Sequence, residues 1–396
     1  MAEGSPFPQP RRFLRAGAVV AALLLGACQT MVPKSGPPKA VPPPIADRPA
    51  DTGALPQDEA RNRVALLVPM TGPNAAVGQS IANAANLALL DTGGARVRVT
   101  TYDTGPGAAA AAARALADGN RLILGPLLAD EVRATAAAAR PAGVPVIAFS
   151  NDAAVAGNGT FLMGFSPAQS VDRVVRYARS RGMTRFAGLM PTGAYGRNAS
   201  NVLLRTAEAA GGSVVSMQTY DRTPASLAAA VGRIGQTRAA GQPYEAVLIA
   251  DGGRIATQAA PLLRRQGATQ LLGTELWNAE GALANNPAMQ GAWFASVPDA
   301  MYRQLGTKYR ARFGKAPYRL ASLGYDAVLL TVRIAADWKT GAPFPAKALT
   351  DKGGFSGVDG AFRFRADGIA ERSLAVHQIG PGGATVIAPA PRGFGG

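Results

Sequence analysis

Short apolar segments separated by amphipathic helical stretches recur from residue 62 onward, and this alternation restricts the fold more than any other feature of the chain. Arg63–Pro69 (RVALLVP) is a near-continuous apolar run ending in Pro69-Met70-Thr71-Gly72-Pro73, followed by a helical pattern over Ala75–Asp91. Val97–Asp103 reads as strand, Ala108–Asp118 as helix, Arg121–Leu124 as strand, Leu127–Arg140 as helix and Val144–Phe149 (VPVIAF) as strand. A strand apolar at successive positions must be covered on both faces. That is the environment of a parallel sheet flanked by helices.

After Phe161–Phe165 the cycle restarts. Helices are expected at Pro167–Arg181, Tyr195–Ala210, Thr223–Ala240 and Arg254–Gly267, between strands at Arg185–Met190, Ser213–Tyr220, Glu245–Ala250 and Leu271–Gly273. Trp293–Val297 returns as strand, with helices at Met301–Phe313 and Leu320–Trp338, and Gly353–Phe364 with Ser373–Ile379 has the pattern of a terminal hairpin. The expected fold class is α/β, with two Rossmann-like lobes on parallel sheets. Lobe I is assigned 62–165 with about 298–340, lobe II 166–297 with about 341–380, and 381–396 is expected as a flexible tail. Ligands of open α/β sheets sit outside the carboxyl ends of the strands, so two facing lobes make one cleft that can close on a ligand.

The chain has one cysteine, Cys28, and one histidine, His377. An intrachain disulfide is therefore excluded, and a zinc or thiolate cluster lacks its ligands, so no metal and no cofactor is expected. The formal charge of +16 suits association with anionic surfaces. Its basic residues are scattered, without runs or interleaved aromatics, so nucleic acid is not an expected partner. No Gly-x-Ser-x-Gly elbow and no Gly-Lys-Ser/Thr phosphate loop is present. Gly105-Pro106-Gly107-Ala108 imitates a dinucleotide fingerprint, but it follows the second strand and carries a proline in the turn. The chain is read as non-catalytic.

The N-terminus reads as an address. Arg11-Arg12-Phe13-Leu14-Arg15 is a basic region, and Ala16–Leu25 is apolar but too short to cross about 30 Å of hydrocarbon. Leu25-Gly26-Ala27-Cys28 has the form of a bacterial lipobox, with residues 1–27 as signal peptide and Cys28 as the lipidated residue. Residues 28–61 form a tether whose Pro33, Pro37, Pro38, Pro42, Pro43, Pro44, Pro49 and Pro56 preclude regular helix. By resemblance to lipoprotein sorting rules, Gln29 after the cysteine implies the periplasmic side of the outer membrane.

Val68-Pro69-Met70-Thr71-Gly72-Pro73, then Gly78-Gln79, resembles the first strand, loop and helix of leucine/isoleucine/valine-type (type I) periplasmic binding proteins. Ile123-Leu124-Gly125-Pro126, Gly143 to Ile147, Tyr195-Gly196, Gly273-Thr274-Glu275 and Tyr325-Asp326 continue the likeness in order. Within that superfamily, Ile147-Ala148-Phe149-Ser150-Asn151-Asp152, Phe161 to Phe165 and Gly357-Val358-Asp359-Gly360 resemble penicillin-binding-protein activator lipoproteins. That branch implies a peptidoglycan synthase as partner. The broader family implies an ABC permease and a small polar ligand.

The resemblance carries over a candidate ligand-binding set: Thr71 and Asp326 at the rim, Ser150 and Asn151 after the fourth strand, Tyr195 as a lid and Glu275 as partner of a ligand amine. The physics suits a zwitterion, with helix N-termini for the carboxylate and an acid for the ammonium. One departure stands out. Relatives place Ser or Thr soon after the Gly-Pro of the third strand, and this chain has Leu127-Leu128. Each candidate also has a structural reading. Ser150-Asn151-Asp152 suits a cap, Tyr195 an interlobe packing residue, Glu275 a solvated acid and Asp326, inside a helix, a partner of a nearby arginine.

Overall fold

The computed structural model describes residues 60–278 and 280–394. Cys28, the signal segment and the proline-rich tether lie outside the described residues.

Lobe I opens with β1 (Asn62–Val68), α1 (Ala75–Thr92), β2 (Val97–Asp103), α2 (Ala108–Ala117), β3 (Leu122–Leu124), α3 (Ala129–Ala139), β4 (Val146–Ala148) and β5 (Thr160–Leu162). Its five strands lie in the order β2-β1-β3-β4-β5, all parallel. Leu122, Ile123, Leu124, Val146, Ile147 and Ala148 are each 1 % exposed or less, as strands covered on both faces require. The first helix ends at Gly93, whose φ of 71° supplies the left-handed cap.

Lobe II continues with α4 (Pro167–Ser180), β6 (Arg185–Pro191), α5 (Ala194–Ala209), β7 (Ser213–Tyr220), α6 (Pro224–Ala239), β8 (Ala246–Ile249), α7 (Gly253–Arg265), β9 (Gln270–Gly273) and β10 (Trp293–Ser296). Ser166 and Thr223 cap α4 and α6 through their side chains, each followed by proline at the first helical position. Then come α8 (Ala300–Phe313), α9 (Ala321–Ala335), β11 (Phe355–Gly357), β12 (Gly360–Phe364), β13 (Ala370–Arg372), β14 (Ala375–Gly380) and β15 (Gly383–Ala388).

The two lobes repeat one close contact. A Cβ on Gly78 of α1 would fall 1.8 Å from the carbonyl oxygen of Pro69, and one on Gly196 of α5 1.8 Å from that of Pro191. Only glycine lets each helix approach the end of its strand so closely.

The C-terminal third departs from expectation. Gly353–Phe364 and Ser373–Ile379 do not form a hairpin: one backbone bond, from the Ser373 amide to the Ala361 carbonyl at 3.0 Å, joins them, but their strands lie in different sheets. Strands β11, β12 and β13 form a separate antiparallel sheet, whereas β14 pairs antiparallel with β10 and with β15. Residues 383–388, expected in a flexible tail, thus form the edge strand of the lobe II sheet, order β15-β14-β10-β9-β8-β6-β7. Residues 341–370, expected with lobe II, pack on lobe I. Phe344, Leu349, Phe355, Phe362, Phe364 and Ala370 join the core of Leu66, Ile81, Val328 and Ile334, because α9 offers an apolar face there.

Three segments pass between the lobes: Met163–Ser166, Val297–Asp299 and Ser373–Leu374. Arg372, 6 % exposed, donates to the Met163 carbonyl at 2.6 Å, and Gln169 of α4 pairs with the backbone of Ala370 and Arg372. Arg319 contacts Asp359 at 2.7 Å and Asp299 at 4.0 Å, and stacks on Tyr302 and Phe165. The crossings are therefore bound by a buried cluster of charges.

Candidate functional site

Among the described residues, the cleft is built from loops at strand ends and from the link between α8 and α9. Lobe I contributes Leu127-Leu128 between β3 and α3, Phe149 to Ala153 after β4, and Arg319-Leu320 before α9. Lobe II contributes the start of α5 and, after β9, Thr274–Asn278 and Glu280. These enclose a cavity of about 410 Å³ walled by Leu127, Leu128, Phe149, Phe165, Leu276 and Leu320, with Glu275, Asn278 and Arg319 among its polar neighbours. A second cavity of about 300 Å³ lies between Asn151-Asp152-Ala153 and Tyr195, Asn198 and Asn201 of α5. Asn151 lines both.

The structure joins Tyr195 to Glu275. The tyrosine hydroxyl donates to Glu275 Oε1 at 2.8 Å and lies 2.9 Å from Thr274 Oγ1, while the Ser170 hydroxyl donates to Glu275 Oε2. Burial raises the Glu275 pKa, against the pull of the two hydroxyls, and burial with the nearby Glu275 charge raises that of Tyr195. Both carboxyl oxygens are thus engaged inside lobe II. Glu275 is part-buried rather than a solvated acid, and a ligand ammonium would share its carboxylate with two internal hydroxyls.

Ser150 is buried, and its Oγ accepts from the Asp152 amide at 3.2 Å. Asp152 in turn accepts from Ala154 and faces Arg133. The capping role falls to Asp152, which caps the short helix Ala153–Val155, with Ser150 bracing the turn before it, while Asn151 lines the cleft. Thr71 donates to Asp103 Oδ2 at 2.7 Å. That carboxylate also accepts from the Met70, Thr71 and Gly105 amides, which hold its pKa low against the penalty of burial. Thr71 therefore pins its own loop.

Asp326 is placed differently from expectation. It is 1 % exposed and accepts from the Val358 and Asp359 amides at 2.7 and 3.2 Å. A rim position is excluded because α9 turns this residue toward the β11–β12 turn. His377 is buried, stacks on Phe294 and meets Ser296 Oγ at 3.2 Å, a structural role.

The N-terminus of α3, where a carboxylate would be expected, is already supplied with acid. Asp130 and Glu131 occupy its first turn, and Glu131 accepts from the Leu128 amide and from Thr104. Their charge satisfies the positive end of the helix before any ligand arrives. The leucines beside it add apolar wall, Leu128 being 42 % exposed.

Sequence reasoning missed Asn198, Asn201, Leu276, Asn278 and Arg319. A signal existed for two of them: Tyr195, Asn198 and Asn201 are spaced by three along one helix, which makes neighbours of them. Among the described residues, no group of three or more His, Cys, Asp or Glu could hold a metal ion, and no helix is long and apolar enough to cross a membrane.

Comparison with known proteins agrees with this geometry. An uncharacterized protein of Rickettsia prowazekii, RP748, is 27 % identical over 173 residues, 43 % of this chain and 46 % of that protein, so the chain aligns with about half the length of this curated relative. Among solved structures, a putative branched-chain amino acid ABC transporter protein from Rhodospirillum rubrum superposes with a TM-score of 0.71 at 21 % identity, covering 83 % of this chain and 100 % of that one. A leucine-binding protein from Thermotoga maritima gives 0.65 at 20 % identity, covering 83 % and 98 %. A branched-chain amino acid binding protein from Streptococcus pneumoniae, in complex with isoleucine, gives 0.62 at 20 %, covering 83 % and 100 %. The family described as periplasmic binding protein matches residues 62–384, and the chain belongs to that family, with the two-lobed type I fold.

Proposed function

We propose that this binding-protein domain serves as a penicillin-binding-protein activator, a regulator of peptidoglycan synthases tethered through Cys28 to the periplasmic face of the outer membrane. The observation that carries the reading is that both groups expected of a zwitterion clamp already have partners within the protein. The α3 terminus is met by Glu131 and walled by Leu127 and Leu128, and Glu275 is held by Ser170 and Tyr195. A receptor for free amino acids needs those groups free, because charged ends are recognised by charge-assisted bonds. A regulator can keep the lobes and the cleft without them.

The test uses bifunctional synthases. The soluble body should bind them in pull-down and raise their glycan polymerisation rate; no binding and no rate change would remove the reading. Lipid labelling of the full chain should vanish in Cys28→Ser.

The alternative is a substrate receptor of an ABC importer. Its support is the extent of the likeness, since the solved neighbours named above are matched over nearly their whole length. It expects a clear thermal shift with a small polar ligand, about 2.7 kcal/mol of stabilisation at a concentration 100 times Kd.

A further inference from the structure

We infer that the amino end of the lobe I sheet docks on anionic lipid headgroups and turns the cleft away from the bilayer. This rests on the anchored regulator reading, since the surface meant is the leaflet that holds Cys28. In a parallel sheet every strand starts at one edge, and the first three starts in the chain carry arginine: Arg61 and Arg63 at β1, Arg96 and Arg98 at β2, Arg121 before β3. Their backbones are joined, the Asn62 amide donating to the Arg96 carbonyl and the Arg121 amide to the Arg63 carbonyl. The Asn62 side chain bonds the Trp338 carbonyl and the Gly341 amide, which brings Lys339 to the same edge. Arg61, Arg96, Arg121 and Lys339 are exposed.

Helix dipoles explain Arg114 and Arg140, which stand at the carboxyl ends of α2 and α3. Strand starts present no comparable charge, so the same reason does not extend to the others. Arg63 and Arg96 each donate to a backbone carbonyl, of Asp118 and Ala336, which leaves their charge uncompensated. The acids at this end are Asp91, Asp118 and Asp337. Lys308 and the Tyr325 hydroxyl hold Asp91, the Tyr102 hydroxyl holds Asp118, and Asp58 and Glu59 of the preceding chain offset only part of the excess. At the carboxyl end of the same sheet the balance reverses, with Asp103, Asp130, Glu131 and Asp152 against Arg133 and Arg319. A body polarised in this way turns its basic pole to an anionic surface. Leu90, 58 % exposed on the last turn of α1, adds an apolar group to that pole. The chain's own path selects lipid among the anions. The described residues begin at Ala60, beside these cations, about thirty positions after Cys28. An anchor there gives this face a high effective concentration at its own leaflet, where each cation within a Debye length adds attraction.

Vesicle flotation should use the chain from residue 28 onward with Cys28→Ser, so that no acyl chain contributes. Phosphatidylglycerol-rich vesicles should bind it, pure phosphatidylcholine vesicles should not, and about 0.5 M salt should release it. Arg121→Gln with Lys339→Gln should weaken binding about thirtyfold, at about fivefold for each cation near the surface. Arg197→Gln with Arg254→Gln, an equal change of charge at exposed positions of lobe II, should leave it within about twofold. An environment-sensitive dye on Leu90→Cys should shift to the blue on vesicles, and one on Leu128→Cys beside the cleft should not. Equal binding to neutral vesicles, equal weakening by the two pairs, or a response at Leu128 rather than Leu90 would overturn the inference. Lipid labelling of Cys28 without vesicle binding by the unlabelled chain would sink this inference alone. Vesicle binding by a chain whose Cys28 takes no lipid would sink the anchored reading and leave the surface standing.

Discussion

Replacing Asp359 by asparagine probes the charge cluster at the lobe crossings with almost no change of volume. Asp359 is 0 % exposed, and its Oδ1 accepts from Arg319 at 2.7 Å. Arg372, also buried, feels the same negative charge. Removing that charge leaves two buried guanidinium groups short of compensation, and breaking one partner of a buried pair costs about 3–5 kcal/mol. Relief of the repulsion between Asp359 and Asp326 returns part of this, so the expected loss is about 3 kcal/mol. Urea denaturation reads it as a fall in midpoint at constant slope. Arg319→Met in the same background should recover more than about 1 kcal/mol of the summed single losses, because the apolar stem stays between Tyr302 and Phe165 while the uncompensated cation is gone. A single-variant loss below about 1 kcal/mol, or strict additivity of the pair, would refute the view that these charges depend on one another.

Burial and the charge of Asp359 push Asp326 up to about 7. A folded-state pKa above the unfolded value of about 3.9 contributes stability that is complete below pH ~4 and lost as pH rises through 7; denaturation at pH 5 and pH 8 should show the decline, and Asp326→Asn should flatten it. Gly196→Ala forces a methyl against the Pro191 carbonyl and should destabilise by about 1–3 kcal/mol, whereas Gly232→Ala, with open space around it on α6, should stabilise by about 0.5–1 kcal/mol in the same thermal assay. Glu275→Gln keeps shape and the Tyr195 bond, and its amide can donate to Ser170 once that hydroxyl turns to the Pro167 carbonyl, so its Tm should change little while the pH dependence contributed by the raised Glu275 pKa disappears; a collapse of stability at all pH values would contradict the internal role given to this acid.

The βαβ alternation was legible because a strand buried on both faces writes its burial into consecutive residues. Arg185–Met190 was expected and Arg185–Pro191 is found, and Ser213–Tyr220 agrees residue for residue. What could not be read is pairing that spans long separations. Strand β14 takes β10 as its partner across some eighty residues, and nothing in the local sequence ranks that partner above the β12 segment. Asp326 failed for the same reason, since the amides it holds lie 32 and 33 residues away. Family likeness assigned Tyr195 and Glu275 to one candidate site, as lid and as partner of a ligand amine, but not to each other. That outcome depends on Ser170, a position no motif marked.

Each lobe has a helix pressed, through a residue without a side chain, onto the carbonyl of the proline that closes the adjacent strand. Such contacts leave no slack for sliding, so each half must travel as a block. Whatever posture an occupant or a partner enforces is then decided in the three short links, and a covalent bridge between two of those links would freeze the molecule while leaving both halves intact.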